Sequence, residues 1–557
     1  MSARTGGQLL VDRLVAHGVD TIFCVPGESY LAALDALHDA PITLITTRHE
    51  AGAATMAEAY GKLTGRPGVC FVTRGPGATH ASVGVHTARQ DSTPMVLLVG
   101  QVEYVHRGRE AFQEVDFEEM FRPLAKWVGE AAAAAHVPRL LDEAFVAASS
   151  GRRGPAVMSL PEDVLYATTQ AEPGSLPAWP DPAAPSAEDL AATRSLLAAA
   201  SRPLALIGGG GWTEEAGGDV IAWAEANRVP LITSFRRQDY VDNTSRAYCG
   251  YAGVGVDPAV ASRLRGADWL LALGARLDDP TTSGYTLVEA PEPSQTLVHV
   301  HSDPAELGRV FRVDVGIVSD SPEFTRALAK LEPVESSGWA QWADEARKDW
   351  LAGLTTPPAP GRIDLGVVVR WLADRLPDDS VIANGAGNFA IWPNRLYTFK
   401  RFRTQLAPTS GAMGYGLPAA LAAKLVRPES VVVCFAGDGD FLMSGQELAT
   451  AMRYGLPVIV LVINNGMLGT IRMHQERAYP GRVVGTDLTN PDFAAYAHAF
   501  GARGEAIEST DQFEPAFERA LAADVPTVLD LRVDPEALTL RQSLSAVREA
   551  ARASAGR

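Results

Sequence analysis

Val431–Asn465 reads VVVCFAGDGDFLMSGQELATAMRYGLPVIVLVINN. Its first run, Val431–Ala436, is short, apolar and rich in β-branched residues, so it reads as a buried strand. Gly437-Asp438-Gly439 stops it. Ser444–Tyr454 has the composition of a helix, and Val458–Ile463 is a second apolar run, ended by Asn464-Asn465. Strand, helix and strand in this order predict two parallel strands joined by a crossover. Ligands of such sheets bind beyond the carboxyl ends of the strands, where both loops would lie. Asp438 offers a carboxylate, the asparagines offer amide oxygens, and the glycines let backbone approach a ligand closely. Mg²⁺ takes hard oxygens at roughly 2.1 Å and commonly shares them with phosphates. Either loop alone reads as an ordinary turn. Together, at the two ends of one unit, they predict a metal–diphosphate site.

The same alternation of β-rich runs and Ala-rich amphipathic segments extends outward through most of the chain. It predicts an α/β protein of doubly wound parallel sheets. Strands are expected at Ile42–Thr47, Gly68–Thr73, Pro94–Val99, Leu204–Ile207, Trp269–Leu273, Thr296–His301 and Ser380–Ala383, with a helix at Ala51–Leu63. Gly75-Pro76-Gly77 reads as a turn. Two stretches break the pattern: EPGSLPAWPDPAAPSAED at Glu172–Asp189 and TTPPAPG at Thr355–Gly361. Both read as exposed linkers. They predict three domains, at residues 1–171, 190–333 and 362–545.

The formal net charge of −17 argues against a nucleic-acid partner, whose phosphates would be repelled. No apolar run is long enough for a membrane span, and the first residues have no signal-peptide core. Cys24, Cys70, Cys249 and Cys434 are scattered without a paired motif. They read as reduced core residues of a cytoplasmic protein. No G-x-G-x-x-G helix start with a following acid supports a nicotinamide dehydrogenase.

Gly437-Asp438-Gly439 through Asn464-Asn465 is similar to the cofactor signature of thiamine-diphosphate enzymes. Longer segments resemble the acetolactate (acetohydroxyacid) synthase large-subunit branch: SGAMGYGLPAA from Ser410, GDGDFLMSGQELATA from Gly437, and RHEAGAATMAEAYGKLTG, RGPGATH, DSTPMVLLVGQV and AFQEVD nearer the start. The similarity runs in order along nearly the whole chain and is weakest in the middle block. It implies that the three domains are a pyrimidine-binding, a central and a diphosphate-binding domain. It implies Mg²⁺ held by Asp438, Asn465 and the carbonyl of Met467. It places the diphosphate near Gly387, Asn388 and Phe389 and the loop Gly437, Gly439, Asp440 and Leu468, with Pro26 and Gly27 also at the cofactor. Asp440 stands where the family usually has Ser, and Asn388-Phe389 where it has Gln-His. A carboxylate beside a diphosphate is repulsive unless it turns away.

The thiazolium carbon of thiamine is a weak acid, deprotonated by the cofactor's own aminopyrimidine. The protein supplies a carboxylate facing the pyrimidine, a bent cofactor and a dry pocket. Glu50 lies in the first turn of the helix expected after Ile42–Thr47, a place that dipole preference alone would also give an acid. The match of RHEAG to the family's glutamate motif implies the catalytic role. Met413 implies the wedge under the cofactor, and the backbone of Gly411 an acceptor for its amino group. In the family the glutamate and the diphosphate loop come from different chains, which implies a homodimer or homotetramer with shared sites.

The reaction implied is decarboxylation of a 2-keto acid such as pyruvate, followed by addition of the resulting enamine to a second carbonyl. Alternatives are another thiamine-diphosphate decarboxylase, a C–C lyase, a flavin oxidase, or a catalytically silent regulatory subunit. Arg276 aligns with an arginine that binds the acceptor carboxylate; it reads equally as a surface residue at a strand end. Phe112, Gln113 and Lys126 align near the acceptor and the flavin, and Phe112 also reads as core. His474 stands where the family carries a pocket tryptophan, as an acid–base group or an ordinary polar residue. Glu28 replaces a glycine. FAD in the middle domain is left open: Gly208–Gly211, the Arg276 segment and Ser302–Glu306 echo its site, but Thr233–Arg237 lacks the glycine-rich turn. A small regulatory subunit is also left open.

Overall fold

The computed structural model describes residues 3–555. Three six-stranded sheets, all parallel, follow one another along the chain. The first holds β1 (Thr21–Cys24), β2 (Thr43–Thr46), β3 (Gly68–Val72), β4 (Met95–Gln101), β5 (Trp127–Glu130) and β6 (Pro155–Pro161), in the order β2-β1-β3-β4-β6-β5. The second holds β7 (Pro203–Ile207), β8 (Leu231–Thr233), β9 (Tyr248–Tyr251), β10 (Trp269–Leu273), β11 (Thr296–His301) and β12 (Val315–Val318), in the order β9-β8-β7-β10-β11-β12. The third holds β13 (Val381–Asn384), β14 (Gln405–Leu406), β15 (Val432–Gly437), β16 (Ile459–Asn464), β17 (Arg503–Ile507) and β18 (Thr527–Arg532), in the order β14-β13-β15-β16-β18-β17.

The first and third sheets therefore share one winding, and the central sheet has the dinucleotide-fold order. Central strands are buried on both faces, which is why they read as continuous apolar runs rather than alternating ones. Phe435, Val433, Leu461 and Leu529 form one core under the third sheet. Each fully buried side chain of this size contributes roughly 1.5–3 kcal/mol.

The chain divides into two compact units. One comprises Met1–Asp181, Leu417–Pro428 and Ser444–Leu456; the other comprises Pro182–Gly416, Glu429–Met443 and Pro457–Arg557. In the first unit, α1 (Glu50–Thr64) packs on α2 (Gly75–Asp91). Gly75-Pro76-Gly77 is thus the first turn of a helix rather than a loop. Proline is favoured there because its missing N–H has no helical acceptor to lose, and Gly75 N donates sideways to the Gln113 carbonyl at 3.0 Å. The helix expected over Ser444–Tyr454 is a 3₁₀ turn, Gly445–Glu447, leading into α3 (Leu448–Tyr454). All four cysteines lie in strands, buried and unpaired. Among the described residues no helix is long and apolar enough to cross a membrane.

Candidate functional site

β15 and β16 are neighbours, with Gly437 paired to Ile463, so both diagnostic loops emerge at one sheet edge. Asp438 is 2% exposed. Its Oδ2 accepts from Gly466 N at 2.8 Å and from Asn490 Nδ2 at 2.7 Å, while Oδ1 accepts from Gly439 N at 2.9 Å. Burial raises its pKa, partly offset by the Asn490 amide and those backbone donors. Asn465 Oδ1 accepts from Met467 N at 3.2 Å, shaping the tight turn after β16. Asp438, Asn465 and Met467 line one cavity of about 460 Å³, a size suited to a small-molecule ligand. Gly387, Asn388, Phe389, Gly411, Met413, Gly437, Gly439, Asp440 and Leu468 line it too. A buried carboxylate with amide and carbonyl oxygens beside it is a donor set that fits Mg²⁺. Asn388 N donates to Thr470 Oγ1 at 2.9 Å, which draws α4 (Gly469–Ala478) against the turn at Asn388.

Asp440, on the cavity wall, is tied to backbone. Its Oδ1 accepts from Ala386 N at 3.1 Å and Gly414 N at 2.9 Å, which ties the loops after β13 and β14 to the β15 turn. Desolvation pushes its pKa up to about 7, against the pull of those donors and of Arg236. Its buried Oδ2 has no protein partner. Arg236 was not singled out from sequence, yet it is the one cationic side chain lining the cavity among the described residues. Its guanidinium donates to the carbonyls of Gly385 (3.2 Å) and Pro408. Gly385 is required by this packing: a Cβ there would lie 2.1 Å from Asp440 Oδ2. Gly385→Ala is therefore expected to cost about 1–3 kcal/mol by overpacking, read by chemical denaturation. An unchanged midpoint would contradict the rigidity of this contact.

Glu50 belongs to the first unit. It opens α1, with its side chain 13% exposed and Oε2 at 2.9 Å from His80 Nδ1. Glu447, wholly buried, accepts from Arg48 N at 3.1 and 3.2 Å and so anchors the entry to α1. A Cβ on Gly52 would meet Glu447 Oε1 at 2.7 Å, so this glycine admits the anchor. Gly27, in the loop just after β1, faces Thr73 so closely that a Cβ would fall 2.4 Å away. Pro26 lies beside it at that strand end. Glu28, the polar replacement noted in the sequence, pairs with Arg74 at 3.2 Å, and Arg74 pairs with Glu162 at 2.7 Å.

The remaining expected residues divide. Gln113 adjoins Gly75 through its carbonyl, and Phe112 next to it is 74% exposed, not core. Lys126 does not join them. It precedes β5, so it lies at the amino edge of a parallel sheet whose carboxyl edge leads to Glu50; its ammonium donates to the Ser150 carbonyl. Arg276 pairs with Asp278 at 3.0 Å and does not line the cavity, although Pro280 of the same loop does. His474 is exposed on α4, one turn beyond the lining residues Thr470 and Ile471.

The central sheet reverses its order between β7 and β10, where a dinucleotide would cross. That turn is occupied by the chain itself. Trp212 Nε1 donates to the Gly208 carbonyl at 2.7 Å, and Tyr240 Oη and Arg237 Nε donate to that of Gly209 at 2.6 and 3.2 Å. Gly209 also abuts Gly274, whose carbonyl a Cβ would meet at 1.9 Å. The Gly208 and Gly209 carbonyls at this turn are thus engaged by the chain's own side chains.

Comparison with known proteins adds three domain matches. Residues 4–120, 190–328 and 385–531 match the thiamine pyrophosphate enzyme N-terminal TPP binding domain, central domain and C-terminal TPP binding domain, respectively. The chain is 33% identical over 531 residues to the acetolactate synthase isozyme 2 large subunit of Escherichia coli, covering 95% of each. It is 34% identical over 548 residues to the acetolactate synthase large subunit of Parasynechococcus marenigrum, covering 95% of this chain and 87% of that one. A probable acetolactate synthase large subunit of Methanocaldococcus jannaschii is 32% identical over 553 residues, covering 96% and 93%.

Proposed function

This chain belongs to the thiamine pyrophosphate enzymes, within the family of the acetolactate synthase large subunits, and from that premise we propose that it decarboxylates a 2-keto acid and joins the remaining fragment to a second carbonyl. The observation that carries this reading is the pair of neighbouring strand tips with Asp438 and Asn465 in one cavity wall. Asp438, Asn465 and the Met467 carbonyl hold Mg²⁺. The turns at Gly387–Phe389 and Gly437–Asp440, with Leu468, cradle the diphosphate. Met413 and Gly411 support the rings. Bound thiamine diphosphate supplies the carbanion chemistry that no side chain offers. Glu50 holds a proton at the pyrimidine nitrogen, and Pro26 and Gly27 line that end. Trp392, Ile463 and Leu538 keep water from the reacting carbons. Arg236 supplies positive potential to an otherwise acidic protein's anionic ligands. The working form is a homodimer or homotetramer in which Glu50 of one chain serves its partner's cavity. The relatives' description as large subunits supports a small partner for this chain too.

The test is a screen of 2-keto acids with thiamine diphosphate and Mg²⁺, products identified by mass. Acetolactate from pyruvate, or its homologue from another acid, supports ligation. Free aldehyde alone overturns the carboligase reading in favour of simple decarboxylation. No turnover of any 2-keto acid overturns the enzyme reading.

We further propose that the enzyme works without flavin, since Trp212, Arg237 and Tyr240 already take up the Gly208 and Gly209 carbonyls at the central turn and Thr233–Arg237 lacks a glycine-rich turn. Protein purified from flavin-replete cells is expected to lack the visible flavin band, and added FAD is expected to leave activity unchanged. A stoichiometric flavin spectrum would sink this reading.

A further inference from the structure

α2 sets two different surfaces against the Glu50 carboxylate. His80 places Nδ1 2.9 Å from Oε2. One helical turn earlier, Gly77 lies beside Oε1, with a Cβ there falling 3.6 Å from it. A carboxylate can only accept, so His80 Nδ1 carries the proton in this contact. The ring is itself held. His49 lies against it with centroids 4.5 Å apart and planes tilted 31°. His49 in turn is fixed because its Nδ1 accepts from Ala51 N at 3.1 Å, capping α1. Nothing in the assigned chemistry uses His80.

We propose that His80 is a positioning residue for Glu50: it ties down Oε2 and so presents Oε1 alone, beside Gly77, to the cofactor's pyrimidine. This rests on the reading of Glu50 as the carboxylate that activates the cofactor. A carboxylate free to rotate would share its time between orientations, and only one of them meets the ring nitrogen. Partners that orient a functional group in this way typically matter by about 10- to 100-fold. The contact runs through Nδ1 rather than Nε2, so two amide substitutions would affect it differently. An Asn amide nitrogen falls close to the place of His Nδ1, whereas a Gln amide reaches toward that of Nε2.

The experiment measures hydrogen–deuterium exchange at the thiazolium carbon of bound thiamine diphosphate in wild type, H80A, H80N, H80Q and E50Q, with cofactor half-saturation titrated for each. Exchange in H80A and H80Q is expected to fall by about 10- to 100-fold, while half-saturation stays put and H80N remains within about threefold of wild type. Wild-type exchange in H80A beside slow exchange in E50Q would overturn the His80 proposal and leave Glu50 standing. Equal loss in H80N and H80Q would also overturn it, because a general packing defect would not distinguish the two amides. Wild-type exchange in E50Q would remove the Glu50 reading itself.

Discussion

Replacing Glu50 by glutamine is expected to lower turnover by about 10³-fold, in the range of a lost acid–base group, with thiamine diphosphate affinity nearly unchanged. The two halves of that expectation have separate causes. Gln keeps the length and shape of the side chain, and its amide oxygen still accepts from His80 Nδ1, so the 2.9 Å contact and the start of α1 survive. It cannot carry a charge, and so cannot favour the imino form of the pyrimidine on which carbon deprotonation depends. The residues proposed to grip the diphosphate and metal, Asp438, Asn465 and Met467, line a cavity of which Glu50 is not a lining residue, so the grip should not notice the change. Release of CO₂ under saturating substrate reads the first half, and cofactor titration by thermal shift reads the second. Undiminished turnover would end the assignment. A turnover loss matched by lost cofactor binding would mean that Glu50 holds the fold rather than the chemistry.

Strand positions were legible because burial on both faces leaves a compositional mark. Trp269–Leu273 and Thr296–His301 coincide with β10 and β11, and the GDG and NN loops sit on adjacent strands as read. Local chemistry misled where a turn composition also suits a helix start, as at Gly75-Pro76-Gly77. Long-range partners carried no local mark. Arg236 sits in a segment noted only for lacking glycines, yet it reaches carbonyls 149 and 172 residues away. Glu447 lay inside a quoted motif, but its bond to Arg48 spans 399 residues. Asn490 lies beyond α4, 52 residues from Asp438, and carries no local mark of its bond to that carboxylate. Lys126 could have been placed at the far edge had Trp127–Glu130 been read as a strand. A residue just before a parallel strand faces away from the carboxyl edge.

Asp438→Asn is expected to abolish the Mg²⁺-dependent stabilisation by thiamine diphosphate, with no loss of stability in the absence of ligands. At a hundredfold excess over Kd, a ligand bound only by the native state adds about 2.7 kcal/mol, so wild type should melt visibly higher with both ligands. The variant lacks the charge proposed to hold the metal, and without metal the diphosphate is left with backbone dipoles and the cation Arg236. The ligand-free prediction has the opposite sign from that of a simple lost contact. Burial raises the folded-state pKa of Asp438, so the ionised form is penalised in the native state. Stability from this group is greatest below its unfolded pKa and falls as pH rises through the unfolded and then the folded value. At neutral pH the amide removes that penalty. It still offers an oxygen to Gly466 N and Asn490, and gives up the bond from Gly439 N. The ligand-free variant should therefore melt at or above ligand-free wild type, while the added-ligand increment disappears. A variant that kept the increment would move the metal away from Asp438. One that melted well below wild type without ligands would make this carboxylate a structural acceptor, and the metal site would have to be sought elsewhere in the cavity.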